Sequence, residues 1–176
     1  MSENPINLSP DTAVLASSDD FRAAMRKFAA SVTIVTTNSD GQPHGMTATA
    51  VSSVSADPPT ILVVINRTAR THPLIGSAGA FAVNLLARDQ QGLANRFSVK
   101  HPDQFDGIDY FESPHIRAPV FYGVASFVEC RLISQKDVGT HTVFFGEVLH
   151  CGTAGAVPLL YYEGAFVEMT AAAAGR

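Results

Sequence analysis

The chain changes its hydrophobic period near residue 30, and the change separates a short helical opening from a long β-rich body. Phe21, Ala24, Met25 and Phe28 recur at i, i+3, i+4 and i+7, the spacing of one helix face. Ser18 is the expected cap of this helix, with Asp19 and Asp20 at its positive end. From Ser31 to Thr37 (SVTIVTT) β-branched residues take over, and Asn38-Ser39-Asp40-Gly41 ends the run with a turn signal. His44 to Ser55 reads as one long strand of small and hydroxylated residues. Pro58-Pro59 break it, and Thr60 to Ile65 follows as a continuous apolar strand.

Further along, a short helix is expected over Arg70 to Ser77, a strand over Ala80 to Leu85 and a second helix near Asp89 to Phe97. Val99 to Ser113 is rich in turn residues and reads as a loop. Ala125 to Ser134, His141 to Cys151 and Leu159 to Phe166 read as three more strands. About seven strands with a few short helices point to a mainly β protein. The expected architecture is a closed antiparallel barrel with Greek-key-like connections rather than a parallel sheet. There is no strand–helix alternation and no GxGxxG, so a nicotinamide cofactor would not be held by a Rossmann fold. A barrel of this size fills its interior with side chains, which leaves a large ligand to the outside or to a subunit boundary.

Composition sharpens this picture. The 176 residues suit one domain, expected over 18–170, between a flexible arm at 1–17 and a frayed tail at 171–176. Hydrophobic residues make up 46% and charged residues only 16%, so a large core is available and the surface is thinly charged. Sparse charge on a small domain implies that part of the apolar surface is hidden against a second subunit. Net charge is −4 without basic runs, which excludes a nucleic-acid footprint. No apolar stretch is long enough to span a membrane, and the opening lacks the features of a signal peptide. Cys130 and Cys151 fall in strand-like segments without CxxC spacing and read as small buried hydrophobes; a cytoplasmic protein without disulfides is expected.

Candidate chemistry is spread thinly. In Gly45 to Ser55, alternation would put Thr47, Thr49, Val51, Ser53 and Ser55 on one face and Ala48, Ala50, Ser52 and Val54 on the other. Such small side chains let a flat ligand approach the backbone; an edge strand with solvated hydroxyls has the same pattern. Asn66-Arg67-Thr68-Ala69-Arg70-Thr71-His72 combines hydroxyls, guanidinium groups and a helix start, a phosphate-binding chemistry that is equally that of an ordinary cap. Arg96 and Ser98 close the next helix. His141, after Gly139-Thr140, is a titratable group at a strand start. The six histidines are scattered without HxH or HxxxH, so no metal set is expected, and no Gly-x-Ser-x-Gly elbow supports hydrolase chemistry.

In order, FRAAMRKFAASVTIVTT, GMTATAVSSVSADPPTILVVINRTART, FAVNLLARDQQGLANRF, DVGTHTVFFGEV and PLLYYEGAF resemble the short-chain flavin reductases of two-component monooxygenases. The likeness runs from about Phe21 to Phe166 and is nearest to the reductase components of 4-hydroxyphenylacetate and chlorophenol monooxygenases. It implies an FMN-binding split β-barrel, dimeric, with flavin near the subunit interface. The implied activity is reduction of FMN or FAD by NADH or NADPH for a separate oxygenase component. By the same resemblance Thr47, Thr49, Ala50, Ser52 and Ser53 line the ring and ribityl chain, and Asn66, Arg67, Thr68 and Thr71 hold the phosphate end. Asn84 lies beside the ring, Arg96 and Ser98 reach the outer phosphate or AMP half, and His141 contacts nicotinamide. Tyr161 and Phe166 shape the pocket or the dimer contact. Thr140 stands where the family often has aspartate, and Tyr162-Glu163-Gly164 lacks the basic residues often found nearby. Two alternatives stay open: a flavin enzyme with its own organic substrate, or a non-catalytic flavin carrier.

Overall fold

The computed structural model describes residues 15–169, so most of the expected arm and all of the expected tail lie outside the described residues. In chain order the elements are α1 (Ser18–Met25), β1 (Ala30–Ser31), β2 (Thr33–Ser39), β3 (Gln42–Ala48), β4 (Val51–Ala56) and β5 (Pro59–Asn66). They continue as α2 (Thr71–Ala78), β6 (Ala80–Leu85), α3 (Gln91–Ser98), β7 (Tyr110–Glu112), β8 (Pro119–Phe121), β9 (Ser126–Val138), β10 (His141–Thr153), β11 (Leu160–Tyr162) and β12 (Ala165–Val167). None of these helices is long and apolar enough to cross a membrane.

Seven strands form the main antiparallel sheet in the order β3-β2-β6-β9-β10-β5-β4. A small sheet, β1-β11-β12, and the β7-β8 ribbon pack beside it. The β2–β3 hairpin turns through Asp40 and Gly41 at φ 54° and 76°. Two successive positive φ values make the tight turn whose twist matches the strands, and Asp-Gly suits it.

The long strand expected over His44 to Ser55 is two strands. β3 pairs with β2 and β4 with β5, so consecutive strands occupy opposite edges of one sheet. Only Thr49 and Ala50 separate them, and three Cα steps reach about 11 Å at most. The sheet therefore has to curl until its edges nearly meet. No ladder joins β3 to β4 among the described residues, so hydrogen bonding does not close the sheet into the full ring expected of a barrel.

The core lies inside this curl. Val35, Val63, Ile65, Phe81, Val83, Cys130 and Phe144 pack around Ile75 of α2. A second cluster, with Val32, Ile34, Leu86, Phe97 and Phe121, packs under α3. Two expectations about burial change. Ser17, not Ser18, caps α1 by accepting from the Asp20 N–H at 3.1 Å, and the helix buries none of its residues. The apolar stripe is exposed instead, with Phe21 at 59% and, just past the helix, Phe28 at 66%, because no described residue covers it. Cys151 is exposed too, whereas Cys130 is buried and desolvation pushes its thiol up to about 12.

Where β10 crosses Phe81 the backbone approach is close. A Cβ at Gly146 would lie 2.6 Å from Phe81 Cζ and 2.7 Å from Cys130 Cβ, both in the core. Gly146→Ala is expected to lower stability by about 1–3 kcal/mol, the usual cost of overpacking. A lowered urea midpoint with an unchanged slope would report it.

Candidate functional site

The gap between β3 and β4 opens into a run of cavities. One of about 430 Å³ is bounded by Ala30, Ser31, Thr49, Val51, Ser52 and Ser53, with Val83, Leu85, Ser126 and Val128 from the central strands. Another of about 460 Å³ lies against α1, between Phe21, Met25 and Phe28 on one side and Thr49, Ala50 and Tyr161 on the other. A third of about 380 Å³ is lined by Thr47, Thr49, Asn95, Ser98, Tyr161 and Phe166. The last, about 110 Å³, is lined by Thr47, Arg70, Thr71, Ser98 and Lys100.

Shared walls join these spaces. Thr49 borders the first three, and Thr47 and Ser98 border the last two, so they form one trough. Its two ends differ in chemistry. Around Thr49 the walls are small, hydroxylated or aliphatic, which suits a flat ring approaching the backbone. At the far end Arg70 and Lys100 supply positive charge beside the start of α2. The Lys100 ammonium donates to the Thr68 carbonyl at 3.0 Å, which holds it across this end. Burial first, and the Arg70 guanidinium second, keep His44 below the ordinary imidazole range.

Among the residues singled out from the sequence, the trough gathers Thr47, Thr49, Ala50, Ser52, Ser53, Thr71, Ser98 and Tyr161. Tyr161 packs edge-on against Phe166 with ring centroids 5.6 Å apart, which fixes part of the wall. The Thr47 hydroxyl is committed to the Ala94 carbonyl at 2.7 Å, so it ties β3 to α3.

The other expected residues serve the frame around it. Asn66 Oδ1 accepts from the Thr68 N–H and hydroxyl at 2.9 and 3.0 Å, shaping the turn into α2. The Arg67 N–H donates to the Thr140 carbonyl, tying that turn to the β9–β10 hairpin. His141 pairs with Asn66 across the ladder and holds Nδ1 2.9 Å from the Thr140 hydroxyl. It thus flanks the segment leading to the cationic end and is not on the trough wall. Arg96 is turned away, donating to the carbonyls of Gln104, Asp103 and Asp106 at 2.6–2.8 Å. A guanidinium has five N–H donors and no acceptor, so it organises a tight turn of carbonyls well.

Asn84 departs furthest from the reading beside a ring. It is fully buried, its amide NH₂ donating to the Ile34 and Pro119 carbonyls and the Thr36 hydroxyl, and its oxygen accepting from the Phe121 N–H. That set fastens the β7–β8 ribbon to the sheet. Conversely, Arg70, Lys100, Asn95 and the Ala29–Ser31 corner belong to the trough. Arg70 and Lys100 had a visible signal as cations flanking helix ends; the rest required the fold.

Residues 25–170 match the family described as flavin reductase like domain. The reductase subunit HsaB of a flavin-dependent monooxygenase from Rhodococcus jostii is 38% identical over 160 residues, covering 89% of this chain and 82% of its own. The FMN reductase (NADH) RutF of Stutzerimonas stutzeri is 36% identical over 148 residues, covering 83% and 84%. In three dimensions the chain is similar to the NADH:FAD oxidoreductase SgcE6 of Streptomyces globisporus in complex with NAD and FAD fragments. The TM-score is 0.85 at 30% identity, over 92% of this chain and 99% of that one.

Asn84→Ala removes this set of buried hydrogen bonds and leaves the Phe121 N–H without its acceptor. It is expected to lower stability by about 2 kcal/mol or more, visible in thermal melts of the purified chain.

Proposed function

The chain belongs to the flavin reductase like family, and we propose that it is the reductase of a two-component system. In this reading it takes FMN or FAD from solution, reduces it with NADH or NADPH, and releases it to a separate oxygenase. The observation that carries the reading is the continuous trough, with small side chains around Thr49 at one end and Arg70 and Lys100 at the other. Those residues fit a flavin: a planar ring needs a floor without bulk, and a phosphate needs cations near a helix start.

The flavin supplies the redox chemistry when bound, with a nicotinamide as reductant, so the protein needs no nucleophile or strong base of its own. Thr49, Ala50, Ser52 and Ser53 would hold the ring through backbone groups and hydroxyls, and donors there would stabilise the negative charge that a flavin gains on reduction. Thr71, Ser98, Arg70 and Lys100 hold the phosphate end. Asn66, Arg67 and Thr68 act by shaping the turn that presents Thr71, and Arg96 by fixing the segment after Lys100. His141 orients the nicotinamide carboxamide from the hairpin side. Tyr161 and Phe166 exclude water from the ring.

A second copy of the chain completes the trough. Phe21, Met25 and Phe28 line the cavity against α1 yet stay exposed, and β4 is an edge strand whose Ser52 to Ala56 face solvent. A homodimer that covers this side would convert the flanks of the curled sheet into a split barrel with a shared ligand site, in the cytoplasm. Light scattering on the purified chain is expected to give twice the monomer mass, and Phe21→Glu with Phe28→Glu is expected to halve it.

Purified chain with NADH and added FMN or FAD in air is expected to lose absorbance at 340 nm only when flavin is added, and the initial rates rank the two flavins. Flavin that binds without NADH oxidation would overturn the reductase reading in favour of a carrier. Tight flavin with slow turnover of free flavin would favour an enzyme with its own substrate. In the same assay His141→Ala is expected to raise the KM for NADH more than the KM for flavin; the reverse order would remove His141 from the nicotinamide.

A further inference from the structure

On the face of the sheet turned away from the trough, a histidine pair meets a buried carboxylate. Val83 and Val128 are paired across β6 and β9 and face the trough, so the next pair along, Ala82 and Glu129, faces the other way. Glu129 is fully buried. A bulge between Val148 and His150 in β10 leaves Leu149 without a partner and sets His150 opposite Glu129. His115 comes from the turn between β7 and β8. Ring centroids of His115 and His150 are 5.4 Å apart. One nitrogen from each histidine and one Glu129 oxygen all lie within 4.8 Å of one another.

The structure assigns this cluster to a divalent transition-metal ion of the zinc class, a ligand set of two imidazoles and a carboxylate with one position left open; we propose that the ion clamps the β7–β8 turn to the β9–β10 ribbon. Three observations converge on it. A fully buried carboxylate needs compensation close by, and among the described residues no lysine or arginine is bonded to Glu129. Its His150 neighbour stands at 3.4 Å. That is long for a charge-assisted hydrogen bond, which runs to about 2.9 Å, yet it matches two ligands on one tetrahedral ion with bonds of about 2.1 Å.

The outer shell is also present. The Ser113 hydroxyl donates to Glu129 Oε2 at 2.6 Å, fixing the carboxylate so that Oε1 is the atom toward His150. The same hydroxyl accepts from the His115 and Ile116 N–H groups, so one side chain orients the carboxylate and the loop that carries His115. Phe127 packs against the His150 ring at 5.5 Å and gives the site an apolar wall. Both histidines are exposed, so they are free to close the remaining ångström or so around an ion without disturbing the core.

The test uses the full chain with affinity tag removed and metal stripped by a chelator. Calorimetry with Zn²⁺ is expected to show one site per chain, and the thermal midpoint is expected to rise on adding Zn²⁺. His115→Ala and His150→Ala, both at exposed positions, are each expected to weaken Zn²⁺ at least about 100-fold and to abolish that rise. Ser113→Ala is expected to weaken it about 10–100-fold as an outer-shell change. Co²⁺ substitution is expected to give the visible bands of a four- or five-coordinate ion, lost in both histidine variants. Absence of stoichiometric Zn²⁺ binding, or binding that survives unchanged in both histidine variants, would overturn the proposal. Flavin-dependent NADH oxidation is expected to persist in His115→Ala, which keeps this result separate from the reductase reading.

Discussion

The two-residue link Thr49-Ala50 sets the shape of this molecule. It joins β3 and β4, which lie at opposite edges of a seven-stranded sheet, across a span of about 11 Å at most. A flat sheet of seven strands would hold those edges roughly 28 Å apart at normal strand spacing. The chain can satisfy both only by curling the sheet on itself, and the curl creates the apolar interior and the slot at its seam. Thr49, at the seam, borders three of the four joined cavities. Core and trough are consequences of one covalent constraint.

The curl also divides labour between the two faces of β6 and β9. Alternate residues Val83, Leu85, Ser126 and Val128 wall the trough, while Ala82, Asn84, Phe127 and Glu129 turn to the opposite side. There Asn84 fastens the β7–β8 ribbon to β2, with two hydrogen bonds to Pro119 and Phe121 and two to Ile34 and Thr36, and Glu129 reaches the turn of the same ribbon through Ser113. Buried polar groups of this kind are costly unless fully paired, so they fix one arrangement where apolar packing alone tolerates several. A two-residue strand period thus gives one face to the trough and the other to holding the frame rigid behind it.

Much of the fold and part of the site were legible in the residues themselves, because the relevant forces are local. Asp40-Gly41 announces a tight hairpin and stands at the turn; the β-branched run before it is a strand displaced by two residues, Thr33–Ser39, so that Asn38 and Ser39 join the ladder. β6 runs Ala80–Leu85, and α2 and α3 begin within two residues of their expected starts. The five ordered segments identify the family, and Thr47, Thr49, Ser52, Ser53, Thr71 and Ser98 are gathered on one trough.

What sequence could not decide depends on partners distant along the chain. The small-residue run from His44 to Ser55 is uniformly strand-like, and only the pairing of its halves with β2 and β5 reveals the break at Thr49. Periodicity marks Phe21, Met25 and Phe28 as one apolar stripe but not what covers it, and among the described residues nothing does. Asn84 and Arg96 have side chains equally able to bind a ligand or a backbone, and the carbonyls that claimed them come from 35 and 50 residues away in one case and 7 to 10 in the other. His115, Glu129 and His150 carry no spacing motif at all; a turn, a strand and a bulge bring them together. Local order follows from residue chemistry within a few positions, whereas a site assembled from separate elements exists only once the sheet has chosen its register.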